Sequence, residues 1–228
     1  MAGREDSLKA VFDDLFISAC EHYGTIDVRA PLNGLDRFFN ADTLFSTFDR
    51  FFIVEFKSFM HSLGDEKYKD SACDICCGLV AAPSVIPLHD QCHFAMWGRI
   101  NRKSHCLEGD YQIYRKAVCR PVVLPECRGA SYSDDSIEFE HFKSLAKKAG
   151  QNAAGLRSTE FQIYLAWLLG NRGIGANGKG DFNCAIYATS KSHGIAGMAF
   201  KTSSDLHRWS TGARPAKRND DWDGFSAS

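Results

Sequence analysis

Asp42, Glu55 and Lys57 are the residues whose types and spacing carry the clearest chemistry in this chain. Glu55 and Lys57 lie two apart in the run RFFIVEFKSF (50–59), and Asp42 precedes them in FFNADTLF. Two carboxylates offer the hard oxygen donors that Mg²⁺ (or Mn²⁺) takes while keeping waters and accepting phosphate oxygens. An ammonium beside them can orient an attacking water or neutralise charge that builds up on a phosphoryl group.

The surrounding elements must bring the three together. Residues two apart in a strand share a face. Phe52, Val54 and Phe56 therefore line one side, and Phe51, Ile53, Glu55 and Lys57 the other. Neither side is cleanly polar, so the run reads as a central strand buried on both faces. Charges in such a strand cost on the order of several kcal/mol per ion unless they pair or meet a metal. A hairpin loop at Ser46 to Asp49, or a two-residue turn at Thr47-Phe48, sets Phe45 opposite Arg50 and Asp42 opposite Ile53. Opposed residues point the same way, which puts Asp42 on the face of Glu55 and Lys57; a one-residue bulge would flip it.

The apolar periodicity and the turn residues give the order of elements. A helix is expected over 7–22, capped by Ser7 and stopped by Gly24, then strands over 25–28, 41–45 and 50–59. A helix over 66–80, a loop punctuated by Pro83 and Pro87, and a strand over 93–97 follow. Beyond residue 100 the pattern predicts a strand over 111–118, helices over 136–149 and 158–169, and a strand over 182–189 with GIAGMAF pairing near it. The division is a core over 1–100, an α+β extension over 101–209, and a polar, flexible tail over 210–228.

At Asp42 and the Glu55-Phe56-Lys57 tripeptide the chain resembles the PD-(D/E)xK, restriction-endonuclease-like nuclease superfamily. The resemblance covers roughly residues 1–100, and departs from the pattern in having Ala41 rather than Pro before Asp42. It implies an α/β fold with an αβββαβ core, a mixed central sheet flanked by helices. It also implies Mg²⁺-dependent hydrolysis of phosphodiester bonds, of DNA more than RNA. Asp42 and Glu55 would hold the metal and Lys57 would assist the attacking water. Many members carry a further acid on the first helix, for which Glu5 is preferred to Glu21. Asp36 is a second choice for the first acid, because the hairpin does not place it beside Glu55. Two-strand cleavage would favour a homodimer or a place in a larger complex. The bland alternative is an ordinary ion pair at a sheet edge, and the functional alternative a non-catalytic nucleic-acid or protein-binding module.

Composition is compatible with this and decides little. The 228 residues are 44% hydrophobic and 24% charged, enough for a packed core. A formal net charge of −1 argues against a protein that coats nucleic acid electrostatically, though not against local grip on a backbone. The charged start, MAGREDSLK, lacks the apolar segment of a secretory signal, so a cytoplasmic setting with reduced thiols is expected for the nine cysteines. No apolar stretch is long enough to span a membrane.

Cys73-x2-Cys76, twelve residues and His89-x3-His93 match zinc-finger spacing. Pro87 just before His89 opposes the helix a finger needs, and Cys73, Cys76, Cys77 and Val80 instead fall at core helical spacing. A zinc site using Cys92, His105 or Cys106 is a further alternative. The GxGxxG string at 173–180 lacks the strand-to-helix context of a phosphate loop and reads as a connector. Basic clusters at Arg99, Arg102 and Lys103, at Arg115, Lys116 and Arg120, and at Lys143, Lys147 and Lys148 read as solvated faces, the first being a candidate phosphate contact. Trp97, Trp167 and Trp209 read as core or partner contacts. Ser190, Ser192 and His193 lack the partners of a serine hydrolase.

Overall fold

The aromatic run that carries Glu55 and Lys57 becomes the middle of a sheet. In the computed structural model, residues 3–32, 39–47, 50–133, 138–170, 181–188, 190–191 and 198–202 are described, with the backbone course alone for 181–188 and 198–202. Strands β1 (Val28–Pro31), β2 (Thr43–Ser46), β3 (Phe51–Lys57), β4 (His93–Ile100), β5 (Leu107–Ile113) and β6 (Glu140–His141) lie in that order across one six-stranded sheet. Among the described strands of this sheet, β3 and β4 run parallel and the other neighbours are antiparallel. The chain is thus an α/β protein with a mixed sheet flanked by helices, and β3 is buried along its whole length.

Helix α1 (Gly3–Tyr23) covers one face of the sheet. Its Phe12 and Phe16 rings meet Phe45 edge-on at 5.2 Å each, while Phe45 stacks on Phe52 at 5.2 Å with the planes 12° apart. Fully burying one such ring contributes about 1.5–3 kcal/mol, so this cluster is a large share of what holds α1 to the sheet. Gly24 ends the helix in the left-handed region at φ +70°, with the Thr25 N–H reaching back to the Cys20 carbonyl at 2.9 Å.

The parallel step from β3 to β4 requires a crossover. It runs through a 3₁₀ helix (Met60–Tyr68), α2 (Asp70–Ala81), a short 3₁₀ turn (Pro83–Val85) and α3 (Ile86–Cys92). Helices α4 (Tyr114–Val118), α5 (Phe142–Gly150) and α6 (Ser158–Gly170) follow, then the hairpin of β7 (Asp181–Ala188) and β8 (Met198–Thr202). On the face opposite α1, Phe51 stacks on Phe161 of α6 at 5.4 Å. The segment before α6 is pinned to the start of β3 by reciprocal backbone bonds between Phe51 and Leu156, 2.8 and 2.9 Å. No single described helix is long and apolar enough to cross a membrane.

Several expectations are corrected. The first helix starts at Gly3, so Ser7 is interior, and Glu5 and Asp6 occupy the first turn, where the helix dipole favours acids. The strand expected over 25–28 forms at 28–31, because Asp27 is drawn out to accept from the Ser190 hydroxyl and the Lys191 N–H. The helix expected over 66–80 is two helices, broken where Lys69 adopts extended backbone. Pro87 lies in the first turn of α3 rather than in a loop, a position where its missing N–H costs nothing. The strand expected over 111–118 ends at Ile113, because Tyr114 turns into the interior. The helix expected over 136–149 begins only at Phe142, after the short β6. Residues 36, 48–49, 173–180, 192–193 and 209–228 lie outside the described residues, and with them Asp36, the GxGxxG string and the tail.

The expectation of reduced thiols is also corrected. Cys73 is bonded to Cys127 and Cys76 to Cys119, with Cα atoms 5.5 Å apart in both pairs. The partners are 54 and 43 residues apart in sequence, so only the docking of the 119–132 strap on α2 brings them together.

Candidate metal and catalytic site

Asp42 reaches Glu55 by a register two residues from the expected one. Phe45 lies opposite Phe52, not Arg50, because the strands are already paired at Thr47 and Arg50, with the Thr47 N–H donating to the Arg50 carbonyl at 3.0 Å. The stacking of Phe45 on Phe52 decides the shift. Since side chains alternate with a period of two, an even shift leaves Asp42 on the side of Glu55. Asp42 is a bend residue just before β2. Its N–H donates to the Val54 carbonyl at 2.8 Å, and its Oδ2 accepts from the Phe56 N–H at 2.6 Å, so the two bonds bracket Glu55. On the other flank of Glu55 the parallel neighbour is Ala95, whose methyl leaves room beside the carboxylate.

The site is buried and charged. Glu55 is 1% exposed, Lys57 7% and Glu66 0%. Lys57 Nζ lies 2.6 Å from Glu55 Oε1 and 2.8 Å from Glu66 Oε1. Lys69 Nζ approaches the same two oxygens at 2.5 and 2.9 Å. Glu5 enters from the first turn of α1, accepting from the Ser58 backbone N–H and feeling the charges of Asp42, Lys57 and Lys69. The structure therefore brings together Asp42, Glu55, Lys57 and Glu5. Glu21 stands elsewhere, paired with Lys191 at 3.0 Å.

Glu66 and Lys69 were not singled out from sequence. Both belong to the stretch read as one helix, and their inward direction depends on the 3₁₀ turn and on the extended backbone at Lys69. A break in apolar periodicity at KYKD (67–70) was the available signal.

Burial and the charges of Asp42 and Glu66 push the Glu55 carboxyl up to about 8. Burial likewise raises Asp42, against the Phe56 N–H bond and the lysines. For Glu66 burial also acts upward, but Lys57 and Lys69 outweigh it and bring it down to about 2. Burial disfavours the Lys57 ammonium, yet Glu55 and Glu66 hold it above the ordinary lysine range. The site thus keeps both ammonium groups charged, while burial and the neighbouring carboxylates bias Glu55 toward its protonated form.

The donor set suits a hard divalent ion. Glu5, Asp42, Glu55 and Glu66 bring four carboxyl groups against two ammonium groups, leaving a potential excess of two negative charges. Among the described residues, Glu55 Oε2 is buried with no hydrogen-bond partner. An orphaned carboxylate oxygen costs about 1–3 kcal/mol or more in such a place unless something meets it. All the available donors are oxygens, which favours Mg²⁺ or Mn²⁺ over thiophilic metals.

Behind the site runs a hydrogen-bond chain whose directions are fixed by its ends. The Arg115 N–H donates to His89 Nε2 at 3.2 Å, so the His89 proton is on Nδ1, facing the Tyr164 hydroxyl at 2.9 Å. The Asn40 carbonyl accepts from His93 Nε2 at 3.0 Å, so His93 Nδ1 accepts from Tyr164 at 2.7 Å. Asn40, at φ +46°, donates through Nδ2 to the Tyr114 hydroxyl, which donates to Glu66 Oε2, both at 2.7 Å. Both histidines use both ring nitrogens, and burial holds His89 well below its ordinary range. The zinc-finger spacing therefore does not assemble: its histidines are committed here, and Cys73 and Cys76 bond to Cys127 and Cys119.

Comparison with protein-family models, with curated proteins and with solved structures finds no match.

Proposed function

We propose that the chain is a metal-dependent nuclease acting through a PD-(D/E)xK-type centre on a restriction-endonuclease-like core. The observation that carries this reading is the buried Glu55 Oε2, without a hydrogen-bond partner among the described residues, beside Asp42 and Lys57 on a central strand. Asp42 and Glu55, with Glu5 at the rim, would hold Mg²⁺ or Mn²⁺. The bound ion supplies a polarised phosphate and a water of lowered pKa. Lys57, held charged by Glu55 and Glu66, presents an ammonium to the attacking water or to the negative charge developing on the phosphate. Glu66, anchored by Tyr114, keeps Lys57 in place from behind.

DNA is the favoured substrate class. The C-terminal ends of the parallel strands β3 and β4 point the same way, and β4 leads into the exposed turn 101–106 with Arg102 and Lys103. Arg99 is committed to Glu108 and Asp110 at 2.8 and 2.9 Å, so Arg102 and Lys103 are the better candidates for phosphate contact.

One observation favours the non-catalytic alternative. Lys69 Nζ lies 2.5 Å from Glu55 Oε1, so a second ammonium already neutralises the carboxylate that a metal would use. Incubation of DNA and RNA with the protein and Mg²⁺ or Mn²⁺, beside Glu55→Ala and Lys57→Ala, separates the readings. The nuclease predicts DNA cleavage lost in both variants. Activity surviving both substitutions, or DNA binding without any cleavage, overturns it.

A further inference from the structure

A second cluster, of sulfur rather than oxygen, lies one helical turn from the site. Cys73 and Cys77 are four apart on α2 and so share a face. Their Sγ atoms are 3.8 Å apart, and Cys127 Sγ, from the strap, is 3.9 Å from that of Cys77. All three sulfurs lie within 4.8 Å of one another. A tetrahedral zinc ion with Zn–S bonds near 2.3 Å sets its sulfur ligands about 3.8 Å apart. The two Cys77 distances already match that spacing.

The backbone holds this arrangement. Gly129 packs directly on the peptide between Cys76 and Cys77, where a Cβ would overlap the Cys77 nitrogen. Cys76–Cys119 ties the same helix to the same strap independently. Cys77 is exposed and outside both disulfides. Cys73 and Cys127 also line a cleft of about 520 Å³ that gives an ion access.

We propose that Cys73, Cys77 and Cys127 form a thiolate site for a thiophilic divalent ion of the zinc class, available when the Cys73–Cys127 bond is reduced. A reductant of the dithiol or glutathione class supplies two electrons and two protons, giving two thiols and its own disulfide. Binding of the ion then displaces one proton from each of three thiols into solvent. The product is a three-thiolate centre of net charge −1 with a fourth position open to water or a small ligand. Because Cys73 follows Lys69 by about one helical turn, the ion fixes the turn that presents Lys69 to Glu55 and Glu66. The site is independent of the nuclease reading.

The test uses the full chain, metal-stripped and titrated with Co²⁺ without oxygen, in the oxidised state and after reduction. Reduced protein is expected to bind one equivalent, with thiolate-to-cobalt charge-transfer absorption and tetrahedral d–d bands that Zn²⁺ abolishes. Oxidised protein shows neither. Cys77→Ser, which leaves both disulfides intact, loses the charge-transfer band, as does Cys127→Ser. Cys106→Ser, an exposed free cysteine elsewhere, binds as the parent does. No binding by the reduced parent, equal binding by the oxidised parent, or an unchanged spectrum in Cys77→Ser overturns the proposal. The spectrum is read without any cleavage assay, so failure of the nuclease reading leaves this result interpretable.

Discussion

Replacing Glu55 by Gln tests the electrostatics of the site through folding stability. The carboxyl is raised from 4.5 to about 8 by burial and by neighbouring Asp42 and Glu66. A group whose folded pKa is raised favours the folded state fully below its unfolded pKa, and that contribution is lost as pH rises through the folded value. Without metal, the wild type should therefore lose stability relative to the uncharged Glu55→Gln protein between about pH 4.5 and 8. At pH 7 the unfolded chain would release the proton that the folded site retains, and the gap amounts to about 3 kcal/mol. Above pH 8 it approaches about 5 kcal/mol, and near pH 4.5 it nearly vanishes. The assay is urea unfolding followed by tryptophan fluorescence, in chelator, across pH 4.5–8.5. Saturating Mg²⁺ should then stabilise the wild type, by about 2.7 kcal/mol at a hundredfold excess over its Kd, and leave the variant unmoved. Parallel stability curves for the two proteins in chelator, or a variant that is the less stable at pH 7, would refute the account of Glu55 as a buried acid awaiting a cation.

Lys69→Met removes the ammonium that competes for Glu55 Oε1, and Mg²⁺ affinity by calorimetry should rise on the order of tenfold; unchanged affinity would place Lys69 outside the metal's field. Tyr164→Phe deprives His89 and His93 of their shared hydroxyl, and chemical denaturation should show a loss of about 1–3 kcal/mol or more. Gly155→Ala forces a side chain onto a residue at φ +88°, with its Cβ 2.7 Å from the Phe51 carbonyl oxygen. The melting temperature should fall by several degrees, corresponding to about 1–3 kcal/mol; a melting curve superimposable on the wild type's would contradict the close approach of that segment to β3.

Much of the site was legible in local pattern. The near-continuous apolar run from Phe51 to Phe56 marked a strand buried on both faces, and Glu55 and Lys57 stood out as charges that such a strand cannot hold alone. The side shared by Asp42 and Glu55 was also readable, because parity survives an even error in register. The register itself was not, since it depends on Phe45 stacking on Phe52 beneath Phe12 and Phe16, residues that adjacent turn signals do not weigh. Glu66 and Lys69 escaped notice because charged residues near a helix start ordinarily face solvent; here the packing of the crossover turns both inward. The cysteines show the same limit most plainly, since spacing offered Cys73 and Cys76 the wrong partners. Sequence alone determined which short segment had to solve the problem of a buried carboxylate and ammonium, because that problem is local to one strand. Which distant groups answer it, Asp42 from the hairpin, Glu5 from α1, Glu66 and Lys69 from the crossover, was decided only when long-range packing closed the chain over β3.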